Sequence, residues 1–250
     1  MKKILLIIIV IFFILSPYKA LGTELDNNLE EDEEFKKIYL TFDDGPSQYN
    51  TYKILELLDK YDAKATFFLV GSKVAKFKEQ SKAIQDAGHV IGSHSYSHSP
   101  NIVYKDIDSF TEDFRLWKET FNEQFGFVPK FFRFPYGSKN SMVNIDGDDD
   151  NLMVKAARLI KSEGIEFYDW NVSSGDGSSL VPSQYIFNNA TKGMDEKEVP
   201  IILLHDPNNN TLKVLEYILI YGANHGYIFR GLDESVPAPQ FIGYIKQVED

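Results

Sequence analysis

The chain has no cysteine. That excludes thiolate metal sites, cysteine nucleophiles and redox switching, and it leaves the fold to rest on its core rather than on disulfides. Positive charge is also in short supply. At a formal net charge of -11 the chain lacks the basic footprint that nucleic acid requires and the basic patch that docks on an anionic membrane. Histidine is scarce, at five residues, so a cluster of them carries information. Internal repeats are missing, as is any HExxH motif, which removes the zinc peptidases. No apolar run approaches the roughly 20 residues of a spanning helix.

The longest apolar run covers Ile4 to Leu15 and follows Lys2 and Lys3. A basic start and a short apolar stretch describe a signal peptide. Ser16-Pro17 breaks the run, and Tyr18-Lys19-Ala20 lacks the small-x-small cleavage pattern, so an uncleaved membrane anchor is the alternative. Residues 1–22 are therefore read as an export segment, and the chain is expected to be secreted or anchored at the outer face of the membrane. Residues 23–35, mostly acidic, read as a solvated linker. The remaining 36–250 suit one domain. Within it, the acidic stretch Asp146 to Asp150 lacks the Gly and Glu positions of an EF-hand loop and is read as an exposed loop.

From Lys36 onward, strand-like runs alternate with helical ones. The strands are expected at Ile38–Phe42, Ala65–Val70, His89–Gly92, Lys130–Phe134, Glu166–Trp170, Pro200–Leu204 and Tyr227–Arg230. Several are continuously apolar, as strands covered on both faces are. Helical spacing appears in Thr51–Tyr61, Val74–Ala87, Asp106–Phe125, Leu152–Glu163 and Leu212–Tyr221, with Gly88, Gly126, Gly164 and Gly226 where helices should stop. Seven strands alternating with helices imply an α/β fold of parallel β/α units. Polar motifs follow five of these strands, which suits a distorted, incomplete (β/α) barrel better than an open doubly wound sheet.

Four of those motifs are Thr41-Phe42-Asp43-Asp44-Gly45-Pro46, His94-Ser95-Tyr96-Ser97-His98, Arg133-Phe134-Pro135-Tyr136 and Leu203-Leu204-His205-Asp206, and the fifth is the segment from Trp170 to Gly177. Consecutive residues at a strand end point different ways. One of Asp43 and Asp44 can thus ligate a metal while the other faces a water; the bland alternative is a turn pair. His94 and His98 are four apart, which on a helical turn places both rings on one face; the alternative is two surface histidines. An Asp and two His leave positions on a divalent ion open, the arrangement of a catalytic rather than a structural site.

Taken in this order, TFDDGP, HSYSH, RFPY and LLHD resemble the polysaccharide deacetylases, carbohydrate esterases that share the NodB homology domain. The resemblance runs from about Ile38 to Phe229. It implies metal-dependent removal of N-acetyl groups from a glycan polymer. Asp43 resembles the catalytic base that deprotonates the attacking water, and Asp44, His94 and His98 the metal ligands, with Zn2+ the default and Co2+ or Mn2+ possible ions. Arg133 resembles the arginine that orients the base. Tyr136 resembles the residue whose backbone N–H holds the oxyanion, and Leu203 the apolar wall for the acetyl methyl. His205 resembles the general acid, with Asp176 its partner. The chain departs from the family at Gly177, which stands where a tryptophan is usual. Trp170 is assigned to the substrate groove or, alternatively, to the core.

The substrate expected first is N-acetylglucosamine in peptidoglycan. Chitooligosaccharide, N-acetylmuramic acid and exopolysaccharide follow, and a catalytically silent glycan-binding relative is the rival class. A monomer is the expected state, with membrane contact only through an uncleaved N-terminal anchor.

Overall fold

A computed structural model describes residues 36–140 and 151–242. The expectations for residues 1–22, for 23–35 and for Asp146 to Asp150 fall outside the described residues. Among the described residues no helix is long and apolar enough to cross a membrane.

The chain runs β1 (Lys36–Gly45), α1 (Asn50–Lys60), β2 (Thr66–Leu69), α2 (Gly71–Lys76), α3 (Lys78–Asp86), β3 (Val90–Ser93), α4 (Pro100–Val103), α5 (Ile107–Phe125) and β4 (Phe131–Phe132). It continues with α6 (Leu152–Ser162), β5 (Glu166–Phe167), β6 (Val172–Ser173), α7 (Ser183–Glu196), β7 (Ile201–His205), α8 (Asn209–Asn224) and β8 (Tyr227–Phe229). All strand pairs are parallel. Seven strands follow the order β5-β4-β3-β2-β1-β7-β6, and β8 pairs with the start of β1.

Curvature follows from chain connectivity. β5 and β6 are the two edges of this order, yet they are consecutive in sequence. Six spacings of about 4.8 Å would set the edges of a flat sheet about 29 Å apart. The five steps from Phe167 to Val172 reach no more than about 18 Å. The sheet therefore curls into an incomplete barrel, as the polar motifs at five strand ends predict. Residues of the C-terminal segment lie along the segment joining the two edges: Asp169 N–H donates to the Pro239 carbonyl at 2.8 Å, and the Gln240 side chain to the Phe167 carbonyl at 3.1 Å.

Strand alternation divides the core in two. Ile38, Leu40 and Phe42 of β1, Phe67 and Leu69 of β2, Phe132 of β4, and Ile202 and Leu204 of β7 face outward into the layer beneath the helices. There they meet the aromatic stripe of α5, where Phe110, Phe114 and Trp117 pack against Phe132. The inward positions Tyr39, Phe68, Phe131 and Ile201 form a separate cluster with Tyr168, Leu232 and Val236. This cluster fills the end of the barrel away from the motifs.

Four elements differ from expectation, among them the short helix α4, which has no helical spacing in the sequence. The helix expected over Val74–Ala87 is two helices meeting at Phe77. The strand β6 is only two residues long and carries no periodicity. Helix α7 is invisible to hydrophobic spacing because its buried stripe includes Ala190, Thr191 and Gly193. Gly193 is required there, since a Cβ would fall 2.1 Å from Val172 Cγ1.

Candidate active site

The inward columns of β1 and β7 change character toward their carboxyl ends. On β1 Tyr39 gives way to Thr41 and Asp43, and on β7 Ile201 gives way to Leu203 and His205, with Asp43 in register with His205. Just past β4, the column of Phe131 gives way to Arg133.

Arg133 is fully buried, and each of its guanidinium nitrogens donates. Nη1 donates to Asp43 Oδ1 at 2.8 Å and to Thr41 Oγ1 at 2.7 Å. Nε donates to the Tyr168 carbonyl and Nη2 to the Asp169 carbonyl, both at 2.9 Å. The guanidinium lies 4.1 Å from the Phe68 ring centroid, and Phe68 in turn rests against Gly92, where a Cβ would stand 2.6 Å from the ring. A buried charge is tolerable only when paired and fully hydrogen-bonded, and Arg133 meets both conditions. Asp43 is thereby fixed at the inner wall with its second oxygen, Oδ2, 3.7 Å from His94 Nε2.

The histidines come together without a helix. His94 follows β3 directly, and the loop to His98 passes through left-handed backbone at Ser95 (φ 63) and His98 (φ 54). The helical turn expected for this pair is absent, and the rings instead meet at 4.9 Å because the loop folds back. Its amides are held from outside: the buried Asp113 of α5 accepts from Tyr96 N–H at 2.7 Å and from Ser97 N–H at 3.0 Å, while Ser95 Oγ accepts from His98 N–H at 2.9 Å. Asp44 is also left-handed, at φ 65, as is Tyr136 at φ 67. Of the described non-glycine residues in this region of backbone space, Asp62 alone lies away from the site. Strain of this kind persists where the surroundings enforce it.

Asp44 Oδ1 stands 3.0 Å from His98 Nε2 and 3.5 Å from His94 Nε2, yet it is buried without a properly aligned hydrogen bond. His94 Nδ1 lies 2.8 Å from the Arg133 carbonyl, which only an Nδ1–H can satisfy, so the Nε2 lone pair points inward. Burial holds the His94 pKa down to about 4, leaving the ring neutral at pH 7. Burial pushes Asp44 up, but contact with His98 and the charges of His94, His98 and His205 outweigh it, and the carboxylate stays well below its ordinary range. One carboxylate oxygen and two imidazole nitrogens within 4.8 Å of one another suit a divalent ion. Lys73 Nζ steadies the same turn by donating to the Asp44 carbonyl at 2.7 Å.

Opposite this group, His205 Nδ1 meets Asp176 Oδ1 at 2.7 Å, and its backbone N–H donates to Asp176 Oδ2 at 2.7 Å. Asp176 also accepts from Ser174 Oγ at 2.9 Å and from Thr211 Oγ1 at 2.5 Å. Burial pulls the His205 imidazolium down, but the bond to Asp176 and its charge outweigh that, raising the pKa to about 9. His205 is thus protonated at neutral pH with Nε2 free of this pairing. A cavity of about 190 Å³ opens between Asp44 and His205, bordered by Gly177, Ser179 and Pro207. Gly177 itself faces open space, since a Cβ there would meet only His205 Cε1 at 4.0 Å.

Leu203 is buried one inward step below His205 and belongs to neither apolar cluster. The Tyr136 side chain is exposed and its ring centroid lies 5.4 Å from that of His98; its N–H has no acceptor among the described residues. Trp170 is half-buried, edge-on to Phe241 at 5.2 Å and 5.8 Å from the Arg133 guanidinium. It lines the mouth of the barrel and joins neither core cluster. All ten residues singled out in the sequence therefore gather around one end of the barrel. Sequence reasoning missed Asp113, Ser174 and Thr211, whose only signal is polarity within otherwise helical or loop segments.

The polysaccharide deacetylase family matches residues 30–149. A peptidoglycan-N-acetylglucosamine deacetylase of Bacillus cereus is 32% identical over 212 residues, which cover 83% of this chain and 73% of that protein. A second enzyme of the same description from Bacillus cereus is 35% identical over 164 residues, covering 63% of this chain and 57% of that protein. The catalytic domain of a peptidoglycan N-acetylglucosamine deacetylase from Eubacterium rectale superposes with a TM-score of 0.75 at 31% identity, covering 82% of this chain and 92% of that domain.

Proposed function

The chain belongs to the polysaccharide deacetylases, metal-dependent hydrolases of N-acetyl groups on polysaccharides, and from that premise we propose that it deacetylates N-acetylglucosamine in peptidoglycan with the residues gathered at the barrel mouth. One observation carries the reading. The Arg133-held Asp43 and the Asp176-held His205, partners in register on the neighbouring strands β1 and β7, stand beside the Asp44, His94 and His98 cluster.

Asp44, His94 and His98 would hold the ion, with Zn2+ as the proposed metal because two imidazoles and one carboxylate match its preference. When bound there, such an ion acidifies water and polarises a carbonyl. Asp43 takes the proton from the attacking water, and Arg133 keeps its carboxylate aimed at the site. The Tyr136 N–H, unengaged within the protein, receives the oxyanion of the tetrahedral intermediate. His205 gives its proton to the amine nitrogen as the C–N bond breaks, and Asp176 keeps that imidazole charged until then. Leu203 receives the acetyl methyl. The products are acetate and a free amino sugar.

Substrate choice rests on three supports. The curated relatives and the solved domain above are named for peptidoglycan N-acetylglucosamine. An export segment over residues 1–22 would put the enzyme outside the membrane, and the acidic linker 23–35 would let the domain 36–250 reach the wall. The open space at Gly177 would leave room for a branched polymer beside His205. Incubation with peptidoglycan fragments and with chitooligomers, followed by mass spectrometry, tests this. Loss of acetyl groups from peptidoglycan fragments is expected, and loss from chitooligomers alone would overturn the substrate while leaving the reaction class in place.

A further inference from the structure

Asp169 is a buried carboxylate that the mechanism above does not use. It follows β5, shows no exposure, and each oxygen accepts. Oδ1 receives the Ser138 N–H at 2.8 Å. Oδ2 receives the Ser138 hydroxyl at 2.5 Å and the Phe241 N–H at 2.7 Å. Its carbonyl accepts from Arg133 Nη2 at 2.9 Å, and its own N–H donates to the Pro239 carbonyl at 2.8 Å. Ser138 Oγ in turn accepts from the Ile242 N–H at 3.3 Å. One residue thus touches the arginine that holds Asp43, the loop that carries Tyr136, and the C-terminal segment beside the junction of the two sheet edges.

The loop from Pro135 to Ser138 needs such a clamp. Tyr136 sits at φ 67 and Gly137 at φ 86, a conformation a free loop of this sequence would leave readily. Tyr104 holds the Pro135 carbonyl at 2.6 Å on one side. On the other, the Asp169 carboxylate ties the loop to the segment that follows β5. We propose that Asp169 is a positioning residue: it clamps Ser138 so that the Tyr136 N–H stays aimed at the reacting carbonyl, and it ties the C-terminal segment at Phe241 to that same loop. This rests on the assignment of the Tyr136 N–H as the oxyanion donor.

An amide in place of the carboxylate cannot do the same work. Asp169→Asn keeps one acceptor oxygen for Ser138, but its NH2 then faces the Phe241 N–H, donor against donor. Ser138→Ala removes the hydroxyl while leaving the Ser138 N–H bond. With a fixed N-acetylglucosamine oligomer as substrate, kcat should fall about 10- to 100-fold in Asp169→Asn and about 3- to 10-fold in Ser138→Ala, the range expected for a displaced rather than deleted donor. KM and metal bound per chain should stay within twofold, and hydrogen exchange in a peptide covering residues 135–140 should quicken. A kcat within twofold of the parent in both variants would overturn the proposal, as would a loss matched by lost metal or lost folded fraction. Should Asp169→Asn fail to fold, Ser138→Ala decides alone. If the parent enzyme releases no acetate from any N-acetylated glycan, the reaction assignment fails instead, and the exchange rates still report whether the clamp exists.

Discussion

The two ends of the barrel interior are built from the same strand columns and behave as opposites. At the closed end Tyr39, Phe68, Phe131 and Ile201 pack with Leu232 and Val236. Two or four residues further along, the same inward positions are Thr41, Asp43, Arg133, Leu203 and His205. A strand advances about 6.6 Å in two residues, so the change from dry core to charged site takes place within a single layer. It is possible because the deeply buried charges that brace the site are met by protein groups: Arg133 by a carboxylate, a hydroxyl and two carbonyls, and Asp176 by four donors. The apolar end gives Arg133 its floor, through Phe68. Stability and chemistry are therefore separated along one axis, and substitutions should sort by height in the barrel.

The largest effect should come from the open end. His94→Ala or His98→Ala should abolish stoichiometric metal and acetate release while circular dichroism and cooperative unfolding persist; full turnover by metal-stripped protein would break the comparison. Next, Asp43→Asn should lower kcat by about 10²–10⁴-fold, the scale of a lost general base, with metal content intact. Loss of metal in that variant would mean that both aspartates share the ion.

The closed end should answer in the other currency. Ile201→Ala should cost about 2–5 kcal/mol of folding stability, read as a lower denaturant midpoint, with kcat per folded molecule unchanged. A fall in kcat as large as that of Asp43→Asn would show that the two ends are not separable.

Smaller effects sharpen the upper layer. Asp176→Asn removes a negative charge beside an imidazolium, which destabilises the protonated form and lowers its pKa. The alkaline limb of the kcat profile, set by a His205 raised to about 9, should move down toward the ordinary histidine value, with a modest loss at pH 7. An unmoved limb would detach Asp176 from the acid. Smallest of all, Gly177→Ala adds a methyl to open space, and turnover should stay within twofold.

Much of this was legible in the chain itself. Apolar runs marked seven of the eight strands, because a strand covered on both faces must be apolar throughout. The motifs at strand ends named Asp43, Asp44, His94, His98, Arg133 and His205, because in parallel β/α units chemistry is placed at the carboxyl ends. Alternation even predicts that Asp43 and Asp44 point apart. Helix α7 escaped because small residues that allow close packing against Val172 carry no hydrophobic signal. Tertiary structure alone decided the rest. The His94–His98 pair reads as a helical turn, but amide bonds to Asp113, sixteen and seventeen residues away, fold it as a loop. Asp169 reads as part of a strand, and only the return of the C-terminal segment, 72 residues later, reveals what it holds. The physical division is one of range. Periodicity records which face of its own element a residue occupies, whereas a buried carboxylate is defined by its donors, and those arrive only when the sheet curls and brings distant loops to one mouth.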